Sequence, residues 1–210
     1  MPFNIENFRK NIEKYGYADN NSYSVLVQTP PILGGSSTNP ERMSFRIDQI
    51  RVPGISLQTA DINRYGIGPT QRQPLNAQFQ EVSMSVLGDR ECQFWQFWYE
   101  WTRAIFQFNG AGSGNQVPNY TTEYKDQYAS TIVIFIYDHE GRPVQQVNLF
   151  EAYPTAIRDF PLAWGDPGLL KINVSLIYTE YTIQRIGPNT PINNVPTRAT
   201  ATRTVVIPNS

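Results

Sequence analysis

QFQEVSMSVLGDRECQFWQFWYEWTRAIFQF, residues 78–108, holds two periodicities in succession. Val82, Met84 and Val86 alternate with Ser83 and Ser85, the period-two pattern of a strand with one buried face. Gly88-Asp89 interrupts it, and Asp89 is suited to cap a helix, because its carboxylate accepts N–H groups of a first turn. The pattern then predicts a helix from Arg90 to about Phe108, with Asn109-Gly110 as its stop. At about 100° per residue, Gln93, Gln96, Glu100, Arg103 and Gln107 form one narrow polar stripe. Phe94, Phe97, Trp98, Trp101 and Ile105 lie on one side of it, and Trp95, Tyr99 and Phe106 on the other.

That apolar arc is too wide for a helix resting on a single core. Burial of each large side chain contributes roughly 1.5–3 kcal/mol. Leaving the second set in water would expose an aromatic patch on the order of several hundred Å², the size of an interaction surface. Either loops of the same chain cover Trp95, Tyr99 and Phe106, or a neighbouring subunit does. The neighbour is the expectation taken forward.

Sixteen prolines, 14 glycines and charged residues at only 17% of 210 residues fit one domain of turns and strands, not a helical bundle. The formal net charge of −1 argues against a protein built to grip nucleic acid through an extensive basic face. The N-terminal MPFNIENFRKNIEKYG has no apolar run for export, and no stretch approaches the ~20 apolar residues of a membrane span. Cys92, the one cysteine, has no internal disulfide partner, which places synthesis in a reducing cytoplasm.

Along the chain, residues 3–15 predict a short amphipathic helix with Phe3, Ile5, Phe8 and Ile12 along one face. Tyr23, Val25 and Val27 read as a strand, and Met43, Phe45 and Ile47 as its hairpin partner across a long polar tip. Val52-Pro53-Gly54 closes that unit. Residues 55–74 have strand-like pieces but too few apolar residues to line a core. They predict a projecting hairpin that turns at Tyr65-Gly66-Ile67-Gly68-Pro69. Residues 131–137 form the most apolar strand, Asp138-His139-Glu140-Gly141-Arg142 its turn, and residues 144–150 the return. The alternation over 170–179 predicts one long final strand. From Gln184 the chain is rich in Pro, Asn and Thr and reads as an extended arm. Val205, Val206 and Ile207 are its compact apolar group, expected to dock on an adjacent subunit or ring. The organisation is thus an N-terminal arm with a short helix (1–19), a β domain (20–183) and a C-terminal arm (184–210).

Little in the chain points to chemistry. His139, the one histidine, sits in a turn, and Cys92 reads as a packed small hydrophobe. Neither a zinc ligand set nor a histidine-based triad can be assembled from one His and one Cys. Glu81, Asp89, Glu91, Glu100, Glu123, Asp126, Asp159 and Asp166 are scattered, and no pair is singled out for glycoside hydrolysis. Gly110, Gly112 and Gly114 follow a helix, not a strand, so a phosphate-binding loop lacks its context. No enzyme, cofactor or metal is expected. The aromatic content also fits a carbohydrate-binding β-sandwich, although most of it lies on the helix, which favours packing.

The order of parts resembles the tail tube proteins of contractile-tailed bacteriophages, whose fold is shared with type VI secretion and related injection-system tubes. The resemblance rests on Val52-Pro53-Gly54 opening a long hairpin, the strand EVSMSVLGD, and the helix with Phe97-Trp98-Tyr99-Glu100-Trp101. It continues through Tyr153-Pro154-Thr155, Leu162-Ala163-Trp164 and a long final strand, covering roughly residues 20–183. It implies a mainly β, antiparallel sandwich or barrel with one principal helix, a long projecting hairpin and two arms. It further implies hexameric rings stacked into a hollow tube for DNA passage, with the hairpin bridging rings and a near-neutral to negative lumen. The implied partners are tail sheath, baseplate and tail-terminator proteins, in a virion tail assembled in the host cytoplasm without membrane insertion. A baseplate tube initiator of the same fold is the alternative within the family.

Overall fold

The computed structural model describes residues 5–6, 9–10, 19–34, 40–62, 66, 70–109, 119–165 and 168–187. Its centre is the β8–β9 hairpin, β8 spanning Ser130–Tyr137 and β9 Pro143–Ile157. Gly141 makes the turn possible at φ 72°, a conformation that costs a residue with a Cβ. The turn is closed by Gly141 N–H donating to the Asp138 carbonyl at 2.8 Å. β1 (Tyr23–Val27) adds to the other edge of β8, with Tyr23 opposite Ile136 and Val27 opposite Ile132.

β9 bends at Glu151, whose φ of 53° is unusual for a residue with a side chain. Before the bend β9 pairs β11 (Glu180–Arg185), and after it β9 pairs β10 (Lys171–Ile177). β10 and β11 are a single passage of chain that bends at Tyr178-Thr179, where Thr179 N–H donates to the Phe150 carbonyl at 3.1 Å. Lys125 clamps the corner: its Nζ lies 2.7 Å from the Glu151 carboxylate and also meets the Thr179 hydroxyl. The strand expected over 170–179 is β10, but it is not the final one: β11 follows it, and the two pair different halves of β9.

The sheet consequently has two limbs. The first runs β1, β8, first half of β9, β11; the second runs second half of β9, β10, β5 (Val82–Leu87), β2 (Ile47–Ile50). Among the described residues all pairings are antiparallel, and none closes the sheet on itself. Val25, Ile134 and Leu149 from the first limb meet Met84, Val174 and Leu176 from the second in one apolar core. The helix Gln93–Ile105 completes that core with Phe94, Phe97, Trp98 and Trp101. Trp98 and Trp101 stack at 5.4 Å and 11°, and the Trp101 indole donates to the Tyr128 carbonyl at 2.8 Å.

The first hairpin does not form as expected. Residues Pro40–Ser44 make a helical turn that buries Met43 and leaves Phe45 exposed, and β1 and β2 lie in different limbs. Alternation over three residues could not distinguish that turn from a strand. β2 carries a bulge at Asp48, whose carbonyl accepts from the Tyr23 hydroxyl at 2.6 Å. The helix is also shorter than its apolar run. Asp89 does not cap it; Cys92 does, with φ 53° in the left-handed region, and its carbonyl accepts from Gln96 N–H at 3.1 Å. Cys92 is exposed, so its expected packing is corrected. At the other end the chain passes at Phe106 into strand β6 (Phe106–Asn109), which pairs β7 (Asn119–Thr122). At the N-terminus Ile5, Glu6, Arg9 and Lys10 are helical, while Phe3, Phe8 and Ile12 lie outside the described residues.

Candidate assembly interface

The helix splits as its periodicity requires. With Phe97, Trp98 and Trp101 in the core, Trp95 remains 44% exposed and Tyr99 52%. Gln96 and Glu100 pair at 2.7 Å along the polar stripe between the two faces. Phe106 is 40% exposed but belongs to β6, not to the helix, so the expected three-residue helical patch is two helical residues beside the start of a strand.

Trp95 packs edge-on against Phe160 at 5.9 Å. Phe160 opens the loop between β9 and β10, where Leu162 and Leu169 stand exposed beside a cavity of about 420 Å³ and Trp164 is also exposed. The aromatic arc thus continues off the helix into an apolar loop. The sequence offers Leu162-Ala163-Trp164 only as part of the family resemblance, which does not point to this extension. The available signal was four large apolar residues between Pro161 and Lys171 with neither strand nor helix spacing.

β3 (Ile55–Ile62) and β4 (Gln71–Phe79) form a hairpin that pairs with no other described strand. Every described residue in it except Ala60 is exposed. A bulge between Gln58 and Thr59 shifts the register, and Arg72 pairs Asp61 at 3.3 Å near the outer end. Phe79 anchors the base against Tyr178 and Tyr181, each at 5.8 Å. Of the expected turn, Gly66 has φ 69°, a conformation suited to glycine. Tyr65, Ile67, Gly68 and Pro69 lie outside the described residues, as do Val205, Val206 and Ile207.

The second limb has two further properties. Among the described residues, neither the outer edge of β2 nor that of β9 over Tyr153–Ile157 has a strand partner. Its face away from the core is polar: Ser83 and Ser85 from β5 lie beside Asn173 and Ser175 from β10. Lys171 reaches across to Asp48 at 2.6 Å on the same face. On the first limb the corresponding face is covered: Val133, Phe135 and Ile186 are buried together beside Gln146 and Asn148, which hydrogen-bond to each other at 2.6 Å. β11 thus runs through Gln184 and Arg185, and the packed body continues to Ile186.

Burial raises the pKa of Tyr23, with the Asp48 charge adding to it; burial raises that of Tyr178, with Tyr181 adding. Both phenols are structural. His139 is exposed, with Nδ1 3.0 Å from Asp19. Among the described residues no group of His, Cys, Asp and Glu could hold a metal ion, and no helix is long and apolar enough to cross a membrane.

A profile of the phage tail tube protein family matches residues 18–184. The chain belongs to that family. Membership makes it a structural tube protein and a tail component of the virion. The fold is similar to a chain in the extended sheath–tube complex of an extracellular contractile injection system (PVC). That likeness has a TM-score of 0.54 at 15% identity, covering 84% of this chain and 97% of the other. It is also similar to a chain in the tube-terminating cap of the anti-feeding prophage (0.53, 16%, covering 81% and 92%). A chain in the six-fold symmetrised baseplate of the anti-feeding prophage matches at 0.54 and 12% identity, covering 81% and 97%. These likenesses concern the fold. No curated protein matches the chain by sequence.

Proposed function

We propose that copies of this tail tube protein close edge to edge into hexameric rings, which stack into a hollow tail tube for DNA passage. The observation that carries this is the second limb. It is a four-stranded antiparallel sheet with both outer edges unpaired among the described residues and one polar face. With four alternating strands the first and last run in opposite directions, so β2 of one copy meets β9 of the next in antiparallel sense. Joining two different edges is a heterologous contact, which repeats until the rotation closes. Closure also removes edges that would otherwise template aggregation. The six-fold symmetry of one similar assembly motivates six copies.

In this ring the serine-rich face lines the lumen and the helix lies outside the barrel. Trp95, Tyr99 and Phe106, continued by Leu162 and Trp164, pack on the neighbouring subunit. The β3–β4 hairpin, with its turn at 65–69, bridges rings. The arm beyond Gly187 follows the surface, and Val205, Val206 and Ile207 dock on an adjacent subunit or ring by adding a short edge strand. Sheath, baseplate and terminator proteins are the partners of the finished tube, and rings assemble in the host cytoplasm. The baseplate likeness favours a second reading, in which the protein initiates the tube. Negative-stain microscopy of purified protein separates these outcomes. Long tubes support the main tube subunit and discrete rings an initiator, whereas monodisperse monomers at high concentration contradict both.

A further inference from the structure

A concavity of about 210 Å³ lies across β2, β5 and β10 on the polar face of the second limb. Ser83, Ser85 and Ser175 line it with Asn173, between Arg51 on one side and Arg158 on the other. The main chain fixes both arginines. Arg51 N–H donates to the Ser83 carbonyl at 3.1 Å, and Arg158 N–H donates to the Asn173 carbonyl at 2.8 Å. The two cations therefore flank the floor from the β2 side and the β9 side, edges roughly 14 Å apart at ordinary strand spacing.

The polar chemistry here is one-sided. Among the described residues no carboxylate lines the concavity, and the nearby Asp48 is engaged by Lys171. Among the described residues, neither guanidinium enters an ion pair, and the three serine hydroxyls and the Asn173 amide donate to no protein group. Ser85 and Ser175 are nonetheless 9% and 5% exposed, so their hydroxyls have little access to water except through this opening. Unpaired guanidinium forks above hydroxyl and amide donors form a receptor for an anion whose charge is spread over several oxygens.

We propose that this concavity is a contact site for the phosphodiester backbone of a nucleic acid, one site per subunit. Arg51 and Arg158 pair with phosphate oxygens while the serine hydroxyls donate from the floor. The choice of nucleic acid as ligand rests on the reading of this face as the lumen wall; the anion-receptor chemistry does not. The site runs against the near-neutral to negative lumen implied by family resemblance: an overall charge of −1 conceals a local pair of uncompensated cations. Backbone contacts carry no sequence information, so such a site holds any sequence alike and is weakened by salt.

The test is fluorescence anisotropy with a labelled double-stranded oligonucleotide across a salt series. It compares the wild-type chain, Arg51→Gln/Arg158→Gln, and an Arg90→Gln/Arg103→Gln control on exposed arginines elsewhere. Each sample is also examined by negative stain. The expected result is salt-sensitive binding by wild type and control. In the double variant the logarithmic salt slope should be smaller by about 2, one for each lost phosphate contact. Equal binding by all three proteins, no binding by wild type, or binding of inorganic phosphate without the oligonucleotide would each overturn the inference. The microscopy judges the ring reading separately: rings with no difference in binding sink the site alone. Without rings the ring reading falls, and the wild-type-to-variant difference still decides the site on the monomer.

Discussion

Replacing Trp95 with Glu and Tyr99 with Lys should separate assembly from folding. The 44% of Trp95 and 52% of Tyr99 left in water amount to roughly 200 Å² of aromatic surface, taking such side chains to bury about 150–250 Å² each. At about 25 cal/mol per Å² that is an upper limit of about 5 kcal/mol per subunit for a neighbour that covers it fully. Association entropy and ordering offset much of this gain. If only about 2 kcal/mol survives, the assembly midpoint still moves by more than tenfold in concentration. Within the subunit the double variant loses little beyond the Trp95–Phe160 contact at 5.9 Å, about 1 kcal/mol, which lowers Tm by about 2–4 °C. Trp101→Ala is the contrasting control, since emptying that fully buried site costs about 3–5 kcal/mol. Sedimentation velocity over a concentration series reads assembly, and near-UV circular dichroism reads the core. Folded monomers are expected from the double variant. Aggregation with loss of the near-UV signal, or normal tubes, would refute the assignment of this arc to a neighbour.

Ile62 pairs Gln71, so replacing residues 63–70 by Asn-Gly closes the hairpin with a two-residue turn; rings should form normally but fail to stack, and normal tubes would count against the hairpin's role. Truncation after Gly187 keeps Ile186 on Val133 and Phe135, so the melting temperature should hold while assembly weakens in dilute solution; unchanged assembly would make the arm a free tail. Tyr23→Phe removes the hydrogen bond to the Asp48 carbonyl at a cost of about 1 kcal/mol near neutral pH. Because the folded-state pKa of Tyr23 is raised, its contribution is complete below its ordinary value of 10.0 and is lost as pH rises beyond it. Denaturant titrations from pH 8 to 11 should therefore show a smaller alkaline loss in the variant than in the wild type; equal losses would contradict the shift.

Local pattern exposed some of this architecture and concealed the rest. The two faces of the helix were legible because bulky residues at 3.6-residue spacing leave few arrangements, and buried Phe97 against exposed Tyr99 follows directly. β5 was legible for the same reason at period two, and β8 as an unbroken apolar run. The partners of β1 and β2 were not, because β1 pairs β8 more than a hundred residues away and adjacent alternating stretches resemble a hairpin. The helix start was misplaced because Asp89 is a good cap by type, whereas the turn at Arg90-Glu91 hands that position to Cys92 in a left-handed conformation. The bend in β9 left no mark in composition, since Glu151 is held by Lys125 and Thr179 from other parts of the chain. The open edges of the second limb emerge only once every pairing is known.

Edge-to-edge closure of that limb is the central claim, and cysteine cross-linking tests it most directly. In a Cys92→Ser background, single cysteines at positions 48–50 of β2 are combined with single cysteines at positions 153–157 of β9 in the same chain. Neighbouring strands bring facing Cβ atoms within about 5.5 Å, close enough for a disulfide in the correct register. One register should oxidise to a ladder of covalent species that ends at six subunits and closes into a ring. A ladder that stops at two, or no cross-link at any pairing while the protein still assembles, would contradict the account.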